Sequence, residues 1–125
     1  MPLEGESGDP LEWFEKGRQD LERVPRRLQE DDCEDAAFHR QQALEKYLKG
    51  FLITRGWQLH RTHNLSVLLD EAVRFLPELE RYRPLSQQAS AFYVEERYPF
   101  LSQPPTREEL EQLFRWAQEL VGLLQ

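Results

Sequence analysis

The chain is written in a helical rhythm. Between Asp35 and Gly56, apolar residues fall at Ala36, Ala37, Leu44, Tyr47, Leu48, Phe51 and Leu52. Spaced three and four apart, they gather into one broad stripe on a helix of 3.6 residues per turn, and Gly56 supplies the stop. Upstream, Asp9 is placed to cap a helix whose first position is Pro10, where the missing N–H costs nothing. Leu11, Phe14, Leu21, Val24 and Leu28 continue that rhythm, and Pro25 is expected to kink or split the helix. The acids from Glu30 to Glu34 read as a polar connection that also suits the N-terminal end of the next helix dipole.

Downstream, Leu65, Leu68, Leu69, Ala72, Val73 and Leu76 mark a third helix that starts near Thr62 to Asn64 and ends or bends at Pro77. Tyr82, Leu85, Ala89, Phe92 and Tyr93 predict a fourth, roughly from Leu85 to Arg97, before Pro99, Pro104 and Pro105 enforce a loop. Thr106 and Glu109 have the spacing of a capping box, and Leu110, Leu113, Phe114, Ala117, Leu120, Val121 and Leu124 follow as one buried face. No alternating stretch argues for a sheet, and there is no internal repeat. The predicted fold is all-α, an antiparallel bundle of four to five helices, with residues 1–8 a loose tail and 9–125 a single helical domain.

Composition narrows the picture. A chain of 125 residues can bury one core, and 39% hydrophobic against 31% charged residues fits a folded, strongly solvated domain. The net charge of -7 weighs against a generic nucleic-acid or anionic-membrane surface, although a local Arg cluster can still hold a phosphate. Cys33 is the single cysteine, so no intrachain disulfide forms, and no Cys/His spacing suggests zinc or another cofactor. The acidic N-terminus lacks a secretory pattern, and no apolar run approaches the roughly 20 residues that span a bilayer. A cytoplasmic protein away from membranes is expected. The 7 Phe, 4 Tyr and 3 Trp are more than five short helices readily bury, which predicts an apolar patch and self-association through it.

Beside the apolar stripe run Gln41, Gln42, Glu45, Lys46 and Lys49, with Glu45 and Lys49 spaced for a helix-surface ion pair. The plain reading of this band is a solvated face; the sharper one makes Gln42, Glu45, Lys46 and Lys49 interface residues. His63, next to Asn64, reads as a helix cap or loop anchor, against a ligand contact or proton transfer. His60 and His63 have no third ligand to suggest a metal. Tyr93 and Arg97 share a helix face, and with Tyr98 they can hold a phosphate or a partner carboxylate, against a bland reading of helix termination beside a half-buried aromatic. Arg61 joins them only if the fold brings the two regions together. No nucleophile motif, Gly-rich phosphate loop or zinc-protease motif is present.

Three segments taken together resemble a known family. FHRQQALEKYLKGFL at Phe38 to Leu52, RTHNLSVLL at Arg61 to Leu69 and FYVEERYP at Phe92 to Pro99 look like the signature segments of the HEPN domain, named for higher eukaryotes and prokaryotes nucleotide-binding. Trp13 and the Asp20-Leu21 pair fit the start of such a domain, so the resemblance covers about Asp9 to Leu124. It implies a helical bundle, commonly a homodimer, that pairs with a minimal nucleotidyltransferase, in some cases as an RNase toxin with its antitoxin. Ribonuclease members carry Arg, four to six residues, then His at a late helix. Here Arg97 is followed by Tyr98 and Pro99 with no His after it. Arg55 and His60 have the spacing but lie at the end of the second helix, and composition alone produces such a match. The expectation is therefore a non-catalytic module with no cofactor that dimerises, pairs with a nucleotidyltransferase and takes nucleotide at Arg61, His63, Tyr93, Arg97 and Tyr98. The alternative is an RNase toxin, the one reading with RNA as partner. A third is a scaffold that binds no ligand.

Overall fold

The computed structural model describes residues 8–57, 64–88 and 106–124. The first helix, α1, spans Pro10–Gln29, and the second, α2, spans Cys33–Thr54. Asp9 caps α1 by accepting from the Leu11 N–H at 3.0 Å, with Pro10 at the first helical position. α1 runs through Pro25 as one element, so the expected split does not occur. Proline removes one helical hydrogen bond, at a cost of about 3 kcal/mol. Val24 and Leu28, on either side of it, are buried at 0% and 4% exposure. Each such burial is worth about 1.5–3 kcal/mol, enough to hold the helix through the defect.

The turn between α1 and α2 is tight. Asp31 takes a left-handed backbone with φ of 57°, which a short polar side chain tolerates, and Asp32 caps α2 through the Asp35 N–H at 3.2 Å. α2 thus begins two residues before the expected Asp35, and part of the acidic connection is its first turn. Gly56, at φ of 85°, follows its end.

Glycines set how closely the two helices approach. A Cβ on Gly17 would lie 2.8 Å from the Tyr47 ring, and one on Gly50 would lie 2.7 Å from the Phe14 ring. Each glycine therefore makes room for an aromatic from the opposite helix, and those two rings stack with centroids 5.8 Å apart.

Asn64 caps α3 (Leu65–Phe75), accepting from the N–H groups of Ser66 at 3.0 Å and Val67 at 3.3 Å. Capping is thus the work of Asn64, one residue past His63. Pro77 opens a 3-10 helix, Pro77–Tyr82, that runs into helical residues 83–88 (α4). Thr106 Oγ1 accepts from the Glu109 N–H at 3.2 Å before α5, Arg107–Leu124. No strand occurs among the described residues.

α2 is the central element. Leu44, Tyr47, Leu48, Phe51 and Leu52 join Leu65, Leu68, Leu69 and Ala72 of α3, Leu79, Tyr82 and Leu85, and Ala117, Leu120 and Val121 of α5 in the main core. A smaller cluster of Val24, Leu28, Ala36, Ala37 and Leu110 fills the end where α1 turns into α2. Leu11, in rhythm with the core positions, is 71% exposed because it lies in the first turn of α1.

Candidate functional site

The polar side chains of α2 do not line a solvated face. Glu45 and Lys49 are 3% and 4% exposed, with Lys49 Nζ 3.8 Å from Glu45 Oε2 and 5.3 Å above the Trp13 ring. The surface ion pair expected from their spacing is a buried one, because α1 lies over it. Gln42 Nε2 donates to Gln41 Oε1 at 2.7 Å, with Gln41 buried and Gln42 half-buried. Lys46 reaches across to the carboxylate of Asp20 on α1.

Asp20 is the centre of this seam. It is almost fully buried, and besides Lys46 it meets His39 Nδ1 at 2.8 Å and Arg23 at 3.5 Å. The other ring nitrogen of His39 lies 3.3 Å from Asp35, which in turn accepts from Arg27 Nε at 2.6 Å. The Arg27 guanidinium is held above its ordinary pKa, first by this hydrogen bond to Asp35 and then by Glu30. Acid and base alternate along the seam, so each buried charge is compensated. Lys46 and Asp20 each stand out in the sequence, but their pairing and the part of His39 do not: His39 sits amid core positions, and Asp20 is 19 residues away on another helix. The only legible signal for His39 was its i,i+4 spacing from Asp35.

Arg40 differs from these. Its side chain is buried at 1% exposure, yet Nε and Nη1 have no hydrogen-bond partner among the described residues. Desolvation pulls its pKa down to about 10, which leaves the guanidinium charged at neutral pH.

The opposite side of α1 carries a second feature, an open groove shared with α5. Leu21, Pro25, Leu28 and Phe114 form its apolar floor, and Arg18, Arg26, Arg107 and Arg115 stand along it with Glu22 and Glu111. Arg18 is bonded to Glu15 and Glu22, and Arg107 to Asp31 at 2.8 Å and Glu111 at 3.1 Å. Arg26 and Arg115 are exposed and have no ion-pair partner among the described residues. Pro25 has no N–H to give the Leu21 carbonyl, so the groove also holds a backbone acceptor without its helical donor. Arg18 and Arg107 are thus matched by their own carboxylates, which leaves Arg26 and Arg115 as the unmatched guanidinium groups of the groove among the described residues.

The remaining candidates, Arg61, His63, Tyr93, Arg97 and Tyr98, lie outside the described residues, as does His60. Arg55, whose spacing to His60 imitates a ribonuclease motif, caps the end of α2 with its guanidinium 5.1 Å over the Phe51 ring. Among the described residues no group of three or more His, Cys, Asp or Glu could hold a metal ion, and no helix is long and apolar enough to cross a membrane.

A bundle packed round α2, with a polar seam on one side of α1 and an open, Arg-lined groove on the other, defines an all-α protein. The HEPN domain model matches residues 11–125. The chain belongs to the HEPN domain family. Its fold matches the crystal structure of the archaeal HEPN homologue ST0689 with a TM-score of 0.74, at 21% identity over 93% of this chain and 94% of that one. It likewise matches the crystal structure of TT1696 from Thermus thermophilus with a TM-score of 0.77, at 28% identity over 94% and 97% of the two chains. No curated protein matches the sequence.

Proposed function

We propose that this HEPN chain is a non-catalytic cytoplasmic binding module, one that self-associates and docks a minimal nucleotidyltransferase, with nucleotide as a further ligand. The observation that carries the reading is the α1/α5 groove, where Arg26 and Arg115 are exposed without ion-pair partners among the described residues, beside an apolar floor. Unmatched cations flanking a half-buried apolar floor suit a partner that brings carboxylates and an apolar anchor. The missing His after Arg97 supports a role without RNA cleavage, because the general acid or base of the ribonuclease members has no counterpart in that stretch. Nothing in the described residues favours the RNase reading.

Mixed with the nucleotidyltransferase encoded beside it, the purified chain should co-elute as one complex on size exclusion. Separate elution removes the pairing. Light scattering at micromolar concentration should give the mass of a dimer, and calorimetry with ATP and AMP tests the nucleotide.

A further inference from the structure

The buried charges of α1 and α2 have identified counterparts, except one. Asp20 is met by His39 and Lys46, and Lys49 by Glu45. Arg40 presents Nε and Nη1 to no acceptor among the described residues, from a side chain that is 1% exposed. Its own helix offers no acid at the positions one turn away: these are Ala36, Ala37, Ala43 and Leu44, each at 0% exposure. None of the four side chains carries a polar atom, so α2 supplies the guanidinium with no side-chain acceptor there. Asp35, the nearest acid on the N-terminal side of α2, is already engaged by Arg27 and His39. A guanidinium that stays charged while its donors go unmet is among the costliest arrangements in a protein interior. Ser86 Oγ is also buried without a partner, but a neutral hydroxyl carries a far smaller penalty.

We propose that Arg40 anchors an internal oxyanion site that takes the phosphate group of a small ligand. Unmet donors on two guanidinium nitrogens call for an acceptor with several oxygens, which phosphate supplies with charge assistance. Inorganic phosphate and the phosphate of a nucleotide share this chemistry. Because the side chain is closed to solvent, the group enters through local opening of the bundle, and its binding stabilises the closed state. The proposal stands on the burial of Arg40 and is independent of the nucleotide reading above.

The test is thermal unfolding of the full chain at constant ionic strength, in chloride, inorganic phosphate, AMP or acetate, for the wild type and for R40M. Wild-type Tm should rise with phosphate in a saturable way, by about 5–10 °C at saturation. R40M should unfold at a higher temperature than the wild type in chloride, since a buried unpaired charge is gone, and should show no phosphate response. Should R40M fold poorly, R40Q serves the same comparison, and phosphorus NMR of inorganic phosphate should show line broadening with the wild type that R40Q abolishes. A wild-type Tm indifferent to both phosphate and AMP overturns the proposal, as does an equal response in R40M or R40Q. A response to acetate as large as that to phosphate also counts against a phosphate site. A response to inorganic phosphate but not to AMP supports the Arg40 site while removing the nucleotide.

Discussion

The two sides of α1 treat charge in opposite ways. Toward α2, Asp20 is buried and shared by His39, Lys46 and Arg23, with helix backbones brought close at Gly17 and Gly50. Toward α5, Arg26 stays exposed and unpaired among the described residues, as does Arg115 where α5 lines the same groove. Desolvation explains the contrast. A charge taken out of water must be matched at once, whereas an exposed guanidinium costs nothing to leave waiting. The seam therefore reads as an element of stability and the groove as an element of recognition, on a single helix.

The sharpest way to break that division is D20A. It leaves His39 and Lys46 facing a buried gap, and a loss of about 3–5 kcal/mol is expected, read as a lower urea midpoint at unchanged m-value. Complex formation with the nucleotidyltransferase should survive wherever the variant remains folded.

Next comes the close approach. G50A puts a methyl 2.7 Å from the Phe14 ring and is expected to cost about 1–3 kcal/mol despite the better helix propensity of alanine. Trimming the ring with F14L in the same chain should recover part of that loss, and a double-mutant cycle measures the coupling. Additive losses would mean that Gly50 matters for some other reason than this contact.

The groove should behave in reverse. R26E/R115E alters two exposed side chains, so stability should stay within about 0.5 kcal/mol, while partner affinity falls by about tenfold or more on size exclusion or calorimetry. Unfolding of this variant, or full-strength binding, erases the distinction between the two faces.

The smallest effect lies on the exposed pair of Glu80 and Arg83, joined by two hydrogen bonds of 2.8 Å. The hydrogen bond from Arg83 holds the Glu80 carboxyl below its ordinary value of 4.5. A carboxyl depressed in the folded state contributes stability above that value and loses it as pH falls through the lower one. The Tm gap between wild type and E80Q should therefore narrow in that acidic window and stay constant at neutral pH.

Local chemistry marked the caps of the helices. Asp9 before Pro10, Asn64 before Leu65, Thr106 with Glu109 and the left-handed Gly56 act on backbone groups within a few residues, so their spacing is legible in the linear chain. The apolar period of α2 likewise marked the central helix, since 3.6 residues per turn is a property of the backbone. Packing decided what local rules could not. Pro25 leaves α1 unbroken because Val24 and Leu28 are buried on either side of it. Glu45 and Lys49 have the spacing of a surface pair and become a buried one only because another helix covers them. Asp20 meets its partners 19 and 26 residues away, and Arg26 and Arg115 come to line adjoining parts of one groove from helices far apart in sequence. Burial and long-range pairing are properties of how helices stack, and a period along one helix reports which face is apolar but not which neighbour will cover the rest.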